Sequence, residues 1–415
     1  MAWNTFRNLK TVTVLMMAGV LLVTFCIIYK TQVAREVFPR GSISRTTHGN
    51  LTVSHVPLPP SLKGRKLAFH QIYEPRLISF VNYSNPFPVV RNGSKLILLW
   101  TPWNHQWDTV NYYFLRPGNE SFVSYHCPNQ LCTTTRDRSR LHEADAILFH
   151  LLDLKENDFP TSRHPQQIWM IYVMEAPWLV HVSWNRLKGI FNWTLSYRED
   201  SDVPVKYGFL GSRTTKLLNT PHFSEKKKSI LWLVSDCSTN SRREDYVKEL
   251  ARYIDIDVYG SCGTKTCFPS QSATCYESLT KEYKFYLSFE NSICKDYVTE
   301  KFFNVLGYDI IPVTFGGADY AGIAPPKSYI DATQFPNPKD LAAFLAKVGS
   351  NETLYASYFK WKETFQVYLY PWMCHLCDRL HNPGQPTSSH NDLYKWWVTD
   401  ANCIRWDMNK GFIRV

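Results

Sequence analysis

Apolar residues fall along this chain in three regimes, each predicting a different kind of structure. The first is one unbroken run, Thr11–Tyr29, nineteen positions without a charge. At about 1.5 Å per residue it nearly crosses a hydrocarbon layer. Arg7 and Lys10 precede it, Lys30 follows, and Cys26-Ile27-Ile28-Tyr29-Lys30 is too bulky for a cleavage site. The pattern predicts a cytoplasmic tail over 1–10, an uncleaved signal-anchor helix over 11–29 and a lumenal body. The second regime, 30–66, carries Pro57, Pro59 and Pro60 with little periodicity, and reads as a stem.

The third regime alternates short buried-type strands with helical spacing. Leu96–Trp100, Ala144–Leu151, Ile168–Val173 and Phe191–Tyr197 are strand-like and define a first α/β unit over 67–210. A polar, basic connection over 211–228 reads as a linker. A second unit, 229–354, opens with the strand Ile230–Ser235. Ser241 and Glu244 have capping-box spacing for a helix to about Tyr253. The strand Ile254–Tyr259 and a Cys-rich loop, Gly260–Cys275, follow. Tyr286–Phe289 is a strand, and Tyr297–Leu306 a helix with Val298, Phe302 and Val305 on one face. Gly307 reads as its left-handed C-cap and Asp309–Phe315 as the next strand. A short strand at Ser328–Ile330 precedes a helix, Leu341–Val348, started by Asn337-Pro338 and Asp340. The remainder, 355–415, is aromatic-rich and reads as a helical extension. Repeated βα alternation predicts a parallel sheet wrapped by helices, and two such units joined by a linker imply a cleft.

Composition adds a compartment. The chain has 415 residues with 44% hydrophobic content, enough for two cores. Its +10 charge is scattered, which suits an anionic small molecule or a membrane surface and not nucleic acid. N-x-S/T sequons at Asn50, Asn82, Asn92, Asn119, Asn192 and Asn351 predict glycosylation, with Asn192 the least accessible because it lies in an aromatic strand-like run. With Cys26 in the anchor, the eleven cysteines leave an even set, as an oxidising compartment favours. Cys127 and Cys132 predict one local bridge. Cys374 and Cys377, in a CxxC, predict another in preference to a zinc knuckle or redox site.

Candidate chemistry gathers where Tyr286–Phe289 ends and the next helix begins. Tyr297, Glu300 and Lys301 share the spacing i, i+3, i+4, at a junction where open α/β sheets hold phosphates. Asp255/Asp257 and Asp200/Asp202 match a DxD that could hold a divalent metal. The first pair reads as a solvated strand face and the second as a hydrogen-bonding loop. GxGxxG, GxxxxGK(S/T) and GxSxG patterns are absent, which removes the main support for dehydrogenase, P-loop and hydrolase readings.

The run Phe285-Tyr286-Leu287-Ser288-Phe289-Glu290-Asn291-Ser292, followed by Asp296-Tyr297-Val298-Thr299-Glu300-Lys301-Phe302, resembles the donor-binding signature of the α1,3/4-fucosyltransferases. The resemblance extends to Phe191–Arg198 with Asp200-Ser201-Asp202, to Val234–Cys237 with Arg242, Arg243 and Tyr246, and to Gly316-Gly317-Ala318-Asp319-Tyr320. It implies a GT-B-type α/β fold: two Rossmann-like domains facing a cleft, preceded by one transmembrane helix and a stem. It implies inverting transfer of L-fucose from GDP-β-L-fucose to the 3-hydroxyl of N-acetylglucosamine in a glycoprotein or glycolipid glycan. It further implies that no cofactor is required, that a divalent metal is not essential, and that the protein is a Golgi type II membrane protein. The resemblance makes Glu175 the catalytic base and assigns the donor to Arg243, Asn291, Tyr297, Glu300 and Lys301, with Arg242 an alternative to Arg243. Val173-Met174 before Glu175 departs from the Asn or Asn-Leu common in vertebrate relatives, which leaves the acceptor open. A catalytically silent, glycan-binding relative is the alternative.

Overall fold

The computed structural model describes residues 93–103, 115–213, 223–267, 272–382 and 390–415. The predicted tail, anchor and stem lie outside the described residues, as do Asn50, Asn82 and Asn92. Among the described residues no helix is long and apolar enough to cross a membrane.

The described residues all belong to one compact unit, which holds two fully parallel sheets. The first contains β1 (Lys95–Leu99), β2 (Cys132–Thr135), β3 (Ala146–His150), β4 (Ile168–Val173), β5 (Trp193–Ser196) and β6 (Val203–Pro204), in the order β2-β1-β3-β4-β5-β6. A strand β7 (Phe209–Ser212) pairs antiparallel with β13 (Phe365–Tyr368), so the predicted linker starts inside a small sheet. The second large sheet contains β8 (Lys228–Leu233), β9 (Ile256–Tyr259), β10 (Tyr283–Phe289), β11 (Ile311–Phe315) and β12 (Ile330–Asp331), ordered β12-β11-β10-β8-β9. Counted from its own first strand, each sheet runs 2-1-3-4-5, and the first adds a sixth strand. Each therefore reverses its winding beside its first strand, between β1 and β3 and between β8 and β10. Open sheets bind ligands outside the carboxyl ends of strands at such a point. The central strands β3 and β11 are buried at every position, which parallel sheets covered on both faces require.

The helices used below are α1 (Glu120–Ser124), α2 (Arg243–Leu250), α3 (Ala273–Glu282), α4 (Glu300–Leu306), α5 (Tyr320–Ile323), α6 (Pro338–Ser350), α7 (Glu352–Ser357) and α8 (Trp372–Leu380). The predicted helix 297–306 starts later, at Glu300. Thr299 is its N-cap, in extended backbone, with its side chain accepting from Lys301 N. Gly307 closes α4 in right-handed geometry (φ −69°), so no left-handed cap forms. In α2, Ser241 does not complete a capping box with Glu244. Its hydroxyl donates to Glu290 O (2.8 Å) and accepts from Arg243 N (3.3 Å), tying the helix start to the end of β10. The expected loop 260–275 ends in α3, capped by Ser272. That helix buries Cys275, Tyr276 and Leu279, a face hidden in the sequence because cysteine there reads as a loop marker. The carboxyl-terminal extension is only partly helical. After α8 come a π-helical turn, Lys395–Thr399, and a hairpin of β14 (Ile404–Asp407) and β15 (Gly411–Arg414).

Cys127, Cys132, Cys374 and Cys377 are all oxidised, but neither predicted local bridge forms. The bonds are Cys127–Cys374 and Cys132–Cys377. Cys374 and Cys377 lie three apart on α8, so both point the same way, toward the first sheet and not toward each other. His381 lies beside the Cys132–Cys377 pair in a metal-like cluster, yet both sulfurs are spent in one bond. Three further bridges are Cys237–Cys262, Cys267–Cys275 and Cys294–Cys403. Of the described sequons, Asn119 and Asn351 are exposed. Asn192 is buried, and its Oδ1 accepts from Trp169 N (2.8 Å) and from Arg163, so the folded chain does not present it for glycosylation.

Candidate active site

The carboxyl ends of β8 and β10 collect most of the predicted donor residues. Arg243, the first residue of α2, is buried. Its Nη1 donates to Phe289 O (2.6 Å) and its Nη2 to Asp236 O (3.0 Å), which bridges the ends of the two switch-point strands. Its Nε has no hydrogen-bond partner. Arg242 sits in left-handed backbone (φ 58°), turns to solvent and pairs with Asp245. The structure thus separates the two arginines: only Arg243 reaches the crevice. Asn291 lies two residues beyond β10. Its side chain caps no turn, and its Oδ1 is buried without a partner. A buried acceptor left unmade costs about 1–3 kcal/mol, so polar atoms of this kind mark places where a ligand completes the bonding.

Lys301 is the hub of the α4 entrance. Its Nζ lies 2.9 Å from Thr299 Oγ1, 3.0 Å from Glu300 and 3.3 Å from Glu290. Burial pushes the ammonium's pKa down, but Glu290 and Glu300 outweigh it and hold the group well above the ordinary lysine range. Glu290 is fully buried, and its carboxylate accepts from Thr299 N (2.8 Å) and from the Thr299 hydroxyl. Burial raises its pKa, with Lys301 opposing. Sequence reasoning missed Glu290. It stands inside the quoted motif, yet it reads as part of a polar turn, and only its place directly after the largely buried strand β10 marks it as interior. Glu300 is held below the usual carboxylate value: burial raises it, and Lys301 more than compensates.

Tyr297 lies before the helix and not on its face. It is buried, with its ring 4.8 Å from that of Tyr197, which follows β5 of the first sheet. The rims of the two sheets meet here. Asp296, in left-handed backbone (φ 62°), accepts from Glu199 N (3.2 Å), and Lys295 pairs with Asp200 (3.4 Å). A cavity of about 450 Å³ opens between them, lined by Tyr197, Lys206, Gly208, Asp296, Val298 and Phe303 among others.

Glu175 enters from the first sheet, two residues beyond β4. Tyr207 donates to the neighbouring Met174 O (2.8 Å), and Pro177–Leu179 forms a 3-10 turn that fixes the exit of the chain. Burial raises the Glu175 pKa. The charges of Glu300 and Glu290 raise it further and Lys301 lowers it, so the base candidate stands within electrostatic reach of the donor-side cluster. Glu175, Tyr297, Glu300 and Lys301 therefore lie within electrostatic reach of one another, and Arg243 and Asn291 lie just beyond the adjoining strand ends. The DxD aspartates do not join them. Asp257, at the start of β9, takes Lys265 (2.6 Å) and Tyr283 at the sheet's opposite end. Asp200 clamps Arg198, and Asp202 accepts from Thr194, Arg379 and His390. The expected hydrogen-bonding loop is what forms.

Comparison with known proteins decides the family. Residues 92–208 match "Fucosyltransferase, N-terminal" and residues 223–396 match "Glycosyltransferase family 10 (fucosyltransferase) C-term". Alpha-(1,3)-fucosyltransferase C of Drosophila melanogaster is 35% identical over 342 residues, covering 74% of this chain and 79% of the relative. The chain belongs to the family 10 fucosyltransferases. It is thus a glycosyltransferase. Glycoprotein 3-alpha-L-fucosyltransferase A of Drosophila melanogaster is 35% identical over 359 residues, 82% of this chain and 68% of that one. Human alpha-(1,3)-fucosyltransferase 7 is 35% identical over 278 residues, 64% of this chain and 78% of its own. A solved alpha1,3-fucosyltransferase with GDP shares the fold at 15% identity, with a TM-score of 0.50, over 78% of this chain and 98% of that one.

Proposed function

We propose that this glycosyltransferase moves L-fucose from GDP-β-L-fucose to the 3-hydroxyl of an N-acetylglucosamine unit, with inversion at the anomeric carbon. The two sheets form the halves of a GT-B enzyme, with acceptor domain 67–210 and donor domain 229–354. The observation that carries the reading is the convergence of Glu175 with Lys301 and Glu300 across the rims of the two sheets. Glu175 takes the proton from the acceptor O3 as that oxygen attacks the fucose C1 from the face opposite the diphosphate. The C1–O bond to phosphate breaks, and GDP leaves with the bonding electrons. Lys301 and Arg243 meet the charge that develops on it, a term that preorganised cations supply best in a water-poor site. Glu300 binds the ribose hydroxyls, and Asn291 and Tyr297 hold the rest of the donor.

The diphosphate needs no bridging metal in this scheme, because Lys301 and Arg243 serve it and Asp200, Asp202 and Asp257 are bonded elsewhere. Activity in excess EDTA is the expected result. The body is lumenal, held in the Golgi membrane by the anchor 11–29. The decisive experiment measures GDP-fucose turnover by the full-length protein against a panel of glycans read by mass spectrometry. Transfer to GlcNAc O3 supports the proposal. Donor binding without transfer to any acceptor would establish the silent, glycan-binding alternative.

A further inference from the structure

The rim of the first sheet carries a feature that the transfer scheme leaves unused. Most tryptophans here are buried, but Trp178 is 56% exposed, and it stands three residues beyond Glu175 on the turn Pro177–Leu179. Among the described residues only two other aromatics are exposed, Tyr253 and Tyr394. Tyr394 directly precedes the π-helical turn Lys395–Thr399, which packs against the turn that bears Trp178. Its ring lies 6.1 Å from Trp184, edge-on. Trp184 in turn lines a groove of about 430 Å³ with Leu154, Glu156, His181, Ser183 and Leu187. This volume falls in the range of small-ligand clefts. Leu154 follows β3 and His181 follows β4, so the groove lies on the same carboxyl-end rim as Glu175. Val180, in its wall, lies five positions beyond Glu175, a reach of at most about 18 Å that the 3-10 turn shortens.

An exposed indole leaves a large apolar face in water, an arrangement that commonly marks a binding surface. A pyranose ring is its chemical complement: one face presents C–H groups to the indole, and the ring edge presents hydroxyls. The groove supplies partners for those hydroxyls. Glu156 and Arg186, an ion pair at its margin, offer an acceptor and donors, and the exposed His181 offers either. We propose that this rim is a glycan subsite in which the sugar next to the fucosylated one stacks on Trp178 and the chain continues into the groove. The proposal rests on Glu175 being the acceptor-side base, and it makes an acceptor with a second ring bind more tightly than a single GlcNAc.

The test uses the full-length protein and two acceptors, a GlcNAc glycoside of a simple alkyl alcohol and an oligosaccharide with that GlcNAc internal. Trp178→Ala raises the KM for the oligosaccharide about tenfold, the scale of a lost aromatic anchor. Its kcat on that acceptor, its KM for GDP-fucose and its KM for the alkyl glycoside stay at wild-type values. Trp178→Phe restores most of the affinity. Ser183→Trp, which fills the groove from an exposed position, reproduces the selective loss. Variants that match the wild type on both acceptors, or that weaken both equally, overturn the subsite. A wild-type protein inactive on both acceptors overturns the transferase reading beneath it.

Discussion

The two rims that meet at the cleft share one topology and differ in nearly everything else. The rim of the second sheet is an interlocked set of charges. Arg243 grips Phe289 O, Thr299 caps α4 and bonds Glu290, and Glu290 and Glu300 hold Lys301. The rim of the first sheet places Glu175 within electrostatic reach of that set, followed by an exposed tryptophan and a groove. A fixed, highly charged nucleotide calls for preorganised cations whose positions tolerate little change. A neutral glycan calls for aromatic faces and adaptable hydroxyl partners, which loops can supply in many ways. On the proposed mechanism the contrast also divides the labour: one rim binds and neutralises, the other removes a proton.

The sharpest way to break this division is Glu175→Gln. It lowers kcat by about 10²- to 10⁴-fold, the range of a lost general base, while calorimetry finds GDP affinity unchanged. A matching loss of GDP binding would show that the rims do not act separately. Next comes the covalent tie of the first sheet. Cys374→Ser, paired with Cys127→Ser, lowers stability by about 2–5 kcal/mol, read as a fall in the midpoint of denaturant unfolding. The donor rim keeps its own bridge, Cys294–Cys403, so GDP still protects the variant. Lys301→Ala weakens GDP about 10- to 100-fold, corresponding to one charge-assisted contact, and calorimetry reads it directly. The smallest effect is a displacement along the pH axis. Burial and the Glu300 charge raise the Glu175 pKa, so transfer falls as pH drops through that elevated value. Glu300→Gln removes a like charge and moves the acid limb of kcat/KM to lower pH; an unmoved limb would mean that another group is the base.

What was legible in the chain follows the same contrast. The strands Ile168–Val173 and Ile311–Phe315 stand out because parallel strands are apolar on both faces. The donor residues stand out because they sit within a few positions of one another around β10. Glu290 did not, since a charged residue in a turn reads as solvated until the fold buries it. The start of α4 was misplaced because apolar spacing continues back through Val298, whereas the cap that decides the boundary is one hydroxyl, on Thr299. The disulfides were paired wrongly because sequence proximity is a poor guide to where helix α8 directs two side chains. The rim of the first sheet was the least legible part: its residues come from loops after β3 and β4 and from the carboxyl-terminal extension, and no local pattern joins them.

The bridges Cys127–Cys374 and Cys132–Cys377 bear on how the protein is made. They span 247 and 245 residues. At a synthesis rate of about 5–20 residues per second, the first two thiols wait on the order of ten seconds or more for their partners. During that interval Cys127 and Cys132 have each other within easy reach, as do Cys374 and Cys377 once they emerge. The bonds that look natural on paper are thus the ones the nascent chain must avoid or later undo. Yield of the folded protein is accordingly expected to depend on a thiol-exchange catalyst, and expression in a reducing compartment to leave the first sheet unlatched.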